Sequence, residues 1–330
     1  MLLSIDIPNY RVVERLGEGA NSTIYRARCM RTGKDYAAKI VKVRKPEDMS
    51  FVELLKAEHA IGSTIRHPIL REIYELRLMR QRLRVRGGIL FMEYVDAMAM
   101  SDKEFSRPMI HVLRLMRDVA HGLHAMHMAG YVHADLKPNN ILVTREGTVK
   151  LIDLGQSSVI HEAKPRVQGS IDFMAPEQAQ RGVLDQRTDV FGLGAALHRV
   201  FTGKPVATEM NQTVNLHSQG LVGKRVSELR DRQNVELPTC ISRLIDDCCQ
   251  AAPDGRIGDM PSVVERINLA IAILSKQQPR EVESSKQTDG VRSLKKANES
   301  DALDDTILQE LGLENRDDSV DLDEFQPDEE

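Results

Sequence analysis

The chain has 330 residues, 41% of them apolar and 28% charged, enough apolar material for one large or two small domains with cores of their own. Net charge is −4, a balance that leaves nucleic acid off the list of expected partners, and Cys29, Cys240, Cys248 and Cys249 form no CxxC pair, which suits reduced thiols in a cytoplasmic protein better than a zinc site or a disulfide framework. The opening MLLSIDIPNYRVV has neither a basic leader nor a long apolar stretch, and the longest late apolar run, 269–274, is far too short to span a bilayer, so neither secretion nor a membrane span is expected.

Residues 1–9 are expected as an N-terminal extension. From Tyr10 the pattern alternates as strands do: YRVVERLGE, STIYRARC and DYAAKIVKV, with RTGK as the turn between the last two. This predicts an antiparallel meander. Phe51, Leu54, Leu55, Ile61 and Ile65 then recur at helical spacing, and Ser50 with Glu53 three residues on reads as a capping box that opens the helix. Strand-like runs follow at 70–79 and 88–95. The period then changes, predicting helices at 106–129 ending at Gly130, at 189–202 ending at Gly203, and near 239–251 and 260–274.

Charge is unevenly placed. Residues 297–330 hold fourteen acids and one base, Arg316, and beyond Ser275 the only aromatic residue is Phe325. Such a stretch cannot bury enough to offset its ordering entropy, so 276–330 is expected as a disordered acidic tail. Within it DALDDTILQELGL, 301–313, puts Leu303, Ile307, Leu308 and Leu311 near one face of a short helix, a candidate docking element for another protein or for the basic remainder of the chain.

Several residue sets point to phosphate chemistry. Gly17 and Gly19, in LGEGANSTIY, suit a loop whose backbone N–H groups close over phosphate oxygens, although alone they read more readily as a plain hairpin turn. A dinucleotide site needs a helix after the glycines, and here a strand follows. Lys39 shares a strand face with Ala37, Val41 and Val43, and Glu58 lies on the apolar stripe of the helix between Leu54 and Ile61. A lone buried ion is costly, so the two are expected to pair, as a structural ion pair or as part of a site. In YVHADLKPNNILV, Asp135 is suited to accept a hydroxyl proton, Lys137 to neutralise phosphate charge and Asn140 to offer an oxygen to a metal. A hairpin of thirteen residues returns Asp153 towards Asn140, two hard oxygens suited to Mg²⁺.

In this order and spacing the residues resemble the eukaryotic-type (Hanks-type) Ser/Thr protein kinase superfamily over residues 10–274. The resemblance implies an α+β bilobal fold: an N-lobe and hinge at 10–95, built of an antiparallel sheet and one long helix, and a helical C-lobe at 96–275. It further implies ATP with Mg²⁺, or Mn²⁺ in its place, as cofactors, and protein Ser or Thr hydroxyls as acceptors. Position by position it makes GEGANSTI the glycine-rich loop, Lys39 the phosphate lysine paired with Glu58, and Met92 the gatekeeper, with the backbones of Glu93 and Val95 meeting adenine. Asp135 and Lys137 become the catalytic pair, Asn140 and Asp153 the metal ligands, and APE at 175–177 the end of the activation segment. Ser170 takes a threonine's place beside the catalytic aspartate, Asp189 is the structural aspartate, and Arg256 is expected to pair with Glu177. Two hydrophobic or small substitutions, Leu154 for phenylalanine and Ser22 for glycine, alter little. Ala134 stands where the family commonly has an arginine held by a phosphorylated activation loop, so this non-RD loop is expected to work without that contact. The rival expectation is a pseudokinase scaffold, disfavoured because Lys39, Asp135 and Asp153 are all retained.

Overall fold

A computed structural model describes residues 7–19, 21–164, 166–167, 169–206 and 236–277. The expected tail, its 301–313 element and most of the N-terminal extension lie outside the described residues. The meander is there: β1 (Tyr10–Glu18), β2 (Ser22–Cys29), β3 (Asp35–Lys42), β4 (Ile73–Gln81) and β5 (Arg84–Glu93) form one antiparallel sheet in the order β1-β2-β3-β5-β4. Strand periodicity splits its side chains between two faces. Tyr25, Ala27, Ala38, Ile40 and Phe91 build a small outer cluster, while Ala37, Val41, Leu90 and Met92 join the main core with α1 (Met49–Thr64). Helix and sheet meet closely at Gly62, where a Cβ would sit 2.2 Å from Ile73 Cδ1.

The capping box expected at Ser50 is absent. A 3₁₀ turn, Pro46–Asp48, runs directly into α1, so Ser50 already lies in the helix and its hydroxyl donates back to the Glu47 carbonyl at 2.8 Å. The Asp48 carboxylate instead ties down the chain entering the 3₁₀ turn, accepting the backbone N–H groups of Arg44 (2.9 Å) and Lys45 (3.1 Å). The fourth and fifth strands are longer on their shared side than alternation suggested, because the turn between them is only Arg82 and Leu83, with Arg82 at φ 54°.

After β6 (Ala97–Ala99) comes α2 (Met109–Met128), the central helix, whose Leu113, Met116, Val119, Leu123 and Met126 are buried. It starts at Met109 rather than Ser106 because Pro108 occupies the N-cap, with no N–H to donate and a restricted residue before it. β7 (Tyr131–Val132), β8 (Ile141–Thr144), β9 (Val149–Leu151) and β10 (Ser158–Val159) are short; β8 and β9 are the expected hairpin, β6 flanks β8, and β10 pairs with β7. The short α3 (Pro176–Ala179) precedes α4 (Gln186–Thr202), which opens three residues before Asp189 because the Asp185 carboxylate caps it through Arg187 N at 2.8 Å. It closes at Gly203, φ 73°, as anticipated. α5 (Thr239–Cys248) and α6 (Met260–Gln277) complete the helical part, with α6 packed along α2. α6 runs three residues beyond the expected 274, and the chain divides into units at Gln278 and Pro279. The result is a sheet-rich lobe with one long helix, followed by a helical lobe. The described cysteines are all free thiols, and among the described residues no helix is long and apolar enough to cross a membrane.

Candidate active site

Sheet pairing carries Lys39 to the inner face of β3, opposite Ile24 on β2 and Leu90 on β5. There its Nζ donates to Glu58 Oε2 at 2.7 Å and to Asp153 Oδ1 at 2.9 Å. The pair anticipated from two charges on apolar faces is therefore formed, and a third member comes from the segment after β9. Glu58 is 1% exposed, and burial raises its carboxyl above the usual range. Burial pushes Lys39 and Asp153 towards neutrality as well, but mutual attraction outweighs it: Lys39 is held above its ordinary value and Asp153 below. Asp153 reaches this position with φ 67°, a left-handed backbone uncommon for a non-glycine residue. Gly155 keeps the corner open, since a Cβ there would lie 3.3 Å from Asp153 Oδ1 and 3.4 Å from Glu58 Oε2.

The loop between β7 and β8 hangs from one buried carboxylate. Asp189 accepts the backbone N–H groups of His133 (2.8 Å) and Ala134 (2.8 Å) and bonds His127 Nε2 at 2.8 Å. Ala134 turns the chain at φ 58°, and Gln178 Nε2 donates to its carbonyl at 2.8 Å. Its methyl packs with Val132, Leu184 and Ile160 in a small apolar cluster. That turn presents Asp135. One carboxylate oxygen, Oδ2, accepts Lys137 Nζ at 2.7 Å, and the other, Oδ1, accepts Ser170 N at 2.9 Å; Lys137 also reaches Ser170 Oγ at 2.8 Å. Asn140 Nδ2 donates to the Asp135 carbonyl at 2.8 Å, which leaves Asn140 Oδ1 without a hydrogen bond among the described residues. The hairpin brings Asn140 and the Asp153 segment together through Ile152 N→Asn140 O, 2.9 Å.

The hinge and the lower segment are equally well held. Met92 is buried at the end of β5, opposite Ala37. The Glu93 N–H is already donated to Glu72 O at 2.8 Å, whereas Val95 makes no backbone hydrogen bond among the described residues. Gly17 lies in β1 with no atom within 4 Å of a built Cβ, and Gly19 N closes the hairpin on Ser22 O at 2.8 Å. Arg256 forms the anticipated bidentate pair with Glu177, 2.8 and 2.8 Å.

Residue patterns did not disclose the full set. His127, through Asp189, and Gln178 brace the loop that carries Asp135, yet His127 is one of many polar residues on α2 and carries no local signal. Arg71 is another omission: almost fully buried, its charge is felt by Glu58, and burial lowers its pKa. Lys164 donates to the Gln156 carbonyl, and burial pushes its amine down to about 8 despite nearby Asp135 and Asp189.

Comparison with known proteins agrees with this geometry. The family described as protein kinase domain matches residues 10–267. A probable serine/threonine-protein kinase of Clostridium perfringens is 27% identical over 279 residues, 80% of this chain and 39% of that protein. The serine/threonine-protein kinase PknB of Mycobacterium tuberculosis is 29% identical over 208 residues, 60% of this chain and 33% of that protein. PknB of Mycolicibacterium smegmatis is 28% identical over 207 residues, 59% of this chain and 33% of that protein. The chain thus spans between a third and two-fifths of the length of these relatives. With the family matched over most of its length, the chain belongs to the protein kinase domain family.

Proposed function

We propose that the chain is an ATP-dependent protein serine/threonine kinase. The observation that carries the reading is the pairing of two assembled centres: Lys39 held by Glu58 and Asp153, and Asp135 held by Lys137, Ser170 and Asn140. In phosphoryl transfer through a loose transition state, positioning and charge neutralisation supply most of the acceleration. Lys39, oriented by Glu58, takes the α- and β-phosphates, while the hinge at Met92, Glu93 and Val95 receives adenine. Asp135 orients an acceptor Ser or Thr hydroxyl and takes its proton as the oxygen bonds to the γ-phosphorus and the bond to ADP breaks. Lys137, already on Asp135, offsets charge on the moving phosphoryl group.

The donor set suits Mg²⁺, with Mn²⁺ as a substitute. Among the described residues Asn140 Oδ1 makes no hydrogen bond and Asp153 commits only Oδ1 to Lys39, so two hard oxygens are offered. Two protein oxygens leave the rest of such an ion's shell to water and phosphate oxygens, the usual arrangement for Mg²⁺. Such an ion, when bound, neutralises phosphate charge.

Ala134, whose methyl packs with Val132 and Leu184, offers no cation to a phosphate, which supports a kinase that does not wait for activation-loop phosphorylation through that contact. A cytoplasmic location, an acidic tail beyond residue 275 and a protein partner for 301–313 complete the proposal. The pseudokinase reading is disfavoured by the retained Lys39, Asp135 and Asp153. Incubation with Mg·ATP and a generic Ser/Thr protein substrate tests it: phosphoserine or phosphothreonine must form. Binding of Mg·ATP with no transfer in the wild type would favour the scaffold.

A further inference from the structure

Among the described residues, few buried side-chain polar atoms lack a partner, and two of them, Asn21 Nδ2 and Gln156 Oε1, line the same cleft of about 180 Å³ with Lys39, Glu58 and Asp153. Buried donors without acceptors are rare in folded proteins, and each calls for something the protein alone does not supply. The two come from opposite walls, Asn21 from the loop joining β1 and β2, Gln156 from the segment after Asp153, and no hydrogen bond joins them.

Sheet register says what lies between them. Along β3, Tyr36 and Ala37 pair with the hinge residues Glu93 and Met92; Lys39 follows, opposite Ile24; then Val41, opposite Ser22. Asn21, one residue before Ser22, therefore sits on the far side of Lys39 from the hinge, and the step from Lys39 to Val41 alone is about 7 Å. A nucleotide with its base at the hinge and its inner phosphates on Lys39 runs its phosphate chain in this direction and ends at Asn21. Lys39 is already shared between two carboxylates. An added neutral donor at the outer end therefore supplies a contact that Lys39 does not.

We infer that Asn21 is a further nucleotide-positioning residue, its side-chain amide donating to the terminal phosphoryl group. This rests on the kinase reading above and adds to it a side-chain contact that distinguishes a nucleoside triphosphate from a diphosphate. On the opposite wall Gln156 presents its acceptor Oε1, which cannot donate to a phosphate, so of the two unpartnered buried amide atoms only Asn21 Nδ2 is a donor.

The test is calorimetric binding of Mg·ATP, Mg·ADP and adenosine to the full chain as wild type, Asn21→Ala and the isosteric Asn21→Asp. A hydrogen bond to a charged acceptor predicts a loss of roughly 10- to 100-fold in Mg·ATP affinity for Asn21→Ala. Mg·ADP and adenosine should change by less than about twofold, within ordinary context effects. Asn21→Asp, which sets a carboxylate against the phosphate, should lose more of the ATP affinity and again spare adenosine. Equal losses for ATP and ADP, or unchanged ATP affinity in both variants, overturn the inference. A mutual latch between Asn21 and Gln156 would instead lower the melting temperature of the nucleotide-free chain in Asn21→Ala and Gln156→Ala alike, with no ATP–ADP difference, and also overturns it. A wild type that binds no Mg·ATP removes the kinase reading itself, and this inference with it. A wild type that binds and transfers phosphate while the variants bind ATP normally removes this inference alone.

Discussion

Replacing Arg256 with alanine should be among the most destabilising single changes in the helical lobe. Its side chain is fully buried, and all of its donor nitrogens are used: on Glu177 Oε1 (2.8 Å) and Oε2 (2.8 Å), and on the carbonyls of Gln250 (2.7 Å), Arg187 (3.0 Å) and Ala251 (3.0 Å). The guanidinium also lies 5.0 Å from the centre of the Phe191 ring. Alanine leaves a nearly buried carboxylate with only the Thr188 hydroxyl, 2.9 Å away, and takes the guanidinium donor from the loop carbonyls of Gln250 and Ala251. Breaking a buried pair from one side costs about 3–5 kcal/mol. For a domain of this size that is a fall in melting temperature of roughly 6–20 °C. Arg256→Lys keeps the charge but loses the planar fork, so it should fall between the two. Thermal melts by circular dichroism, with urea titration to check for an unchanged slope, measure this. A melting temperature for Arg256→Ala within about 2 °C of wild type would refute the reasoning.

Asp189 gives a pH signature: burial raises its carboxyl, but His127 and two backbone N–H donors outweigh it and hold the group below its ordinary value of 3.8. Its stabilisation is full above about pH 4 and lost as pH falls through the lower folded value, so Asp189→Asn should be less stable at pH 7 and show a flatter acid limb in denaturant titrations. Lys164 gives the opposite sign. Burial lowers its amine to about 8 from 10.5, so between those values the unfolded chain binds the extra proton and stability rises with pH; Lys164→Met should abolish that rise in melts from pH 8 to 10. Phosphatase-treated protein should transfer phosphate without a lag, because Ala134 offers no cation to a loop phosphate; a lag removed by preincubation with ATP and abolished in Ser157→Ala/Ser158→Ala would contradict this.

Much of this site is legible in the sequence because charges on apolar faces have few solutions. Lys39 among Ala37 and Val41, and Glu58 on a helix stripe, had to meet or be neutralised, and they meet. Arg256–Glu177 and Asp135 beside Ser170 follow from the family resemblance rather than from periodicity. Helix starts were harder to read. Ser50 satisfies the capping pattern, but the preceding 3₁₀ turn has already begun the winding, and the Asp48 carboxylate holds Arg44 N ahead of that turn rather than a helix N–H. At α2 the proline at 108 set the start, and at α4 the cap lay at Asp185, outside the apolar run. What no linear pattern contains is the long-range bracing: His127 to Asp189 across 62 positions and Gln178 to Ala134 across 44. Orphaned groups such as Asn21 Nδ2 are likewise defined only once the walls of a cleft exist.

In the proposed kinase reaction Asp135 works with Lys39 and Asp153 to transfer phosphate from ATP to a protein hydroxyl. The most direct measurement is single-turnover transfer of the labelled γ-phosphoryl group of Mg·ATP to a Ser/Thr protein substrate, wild type against Asp135→Asn, with ATP affinity measured on both. Phosphoserine or phosphothreonine should form with the wild type, and Asp135→Asn should be about 10²- to 10⁴-fold slower at nearly unchanged ATP affinity. Equal rates in the two proteins, or no transfer by a wild type that binds Mg·ATP, would contradict it.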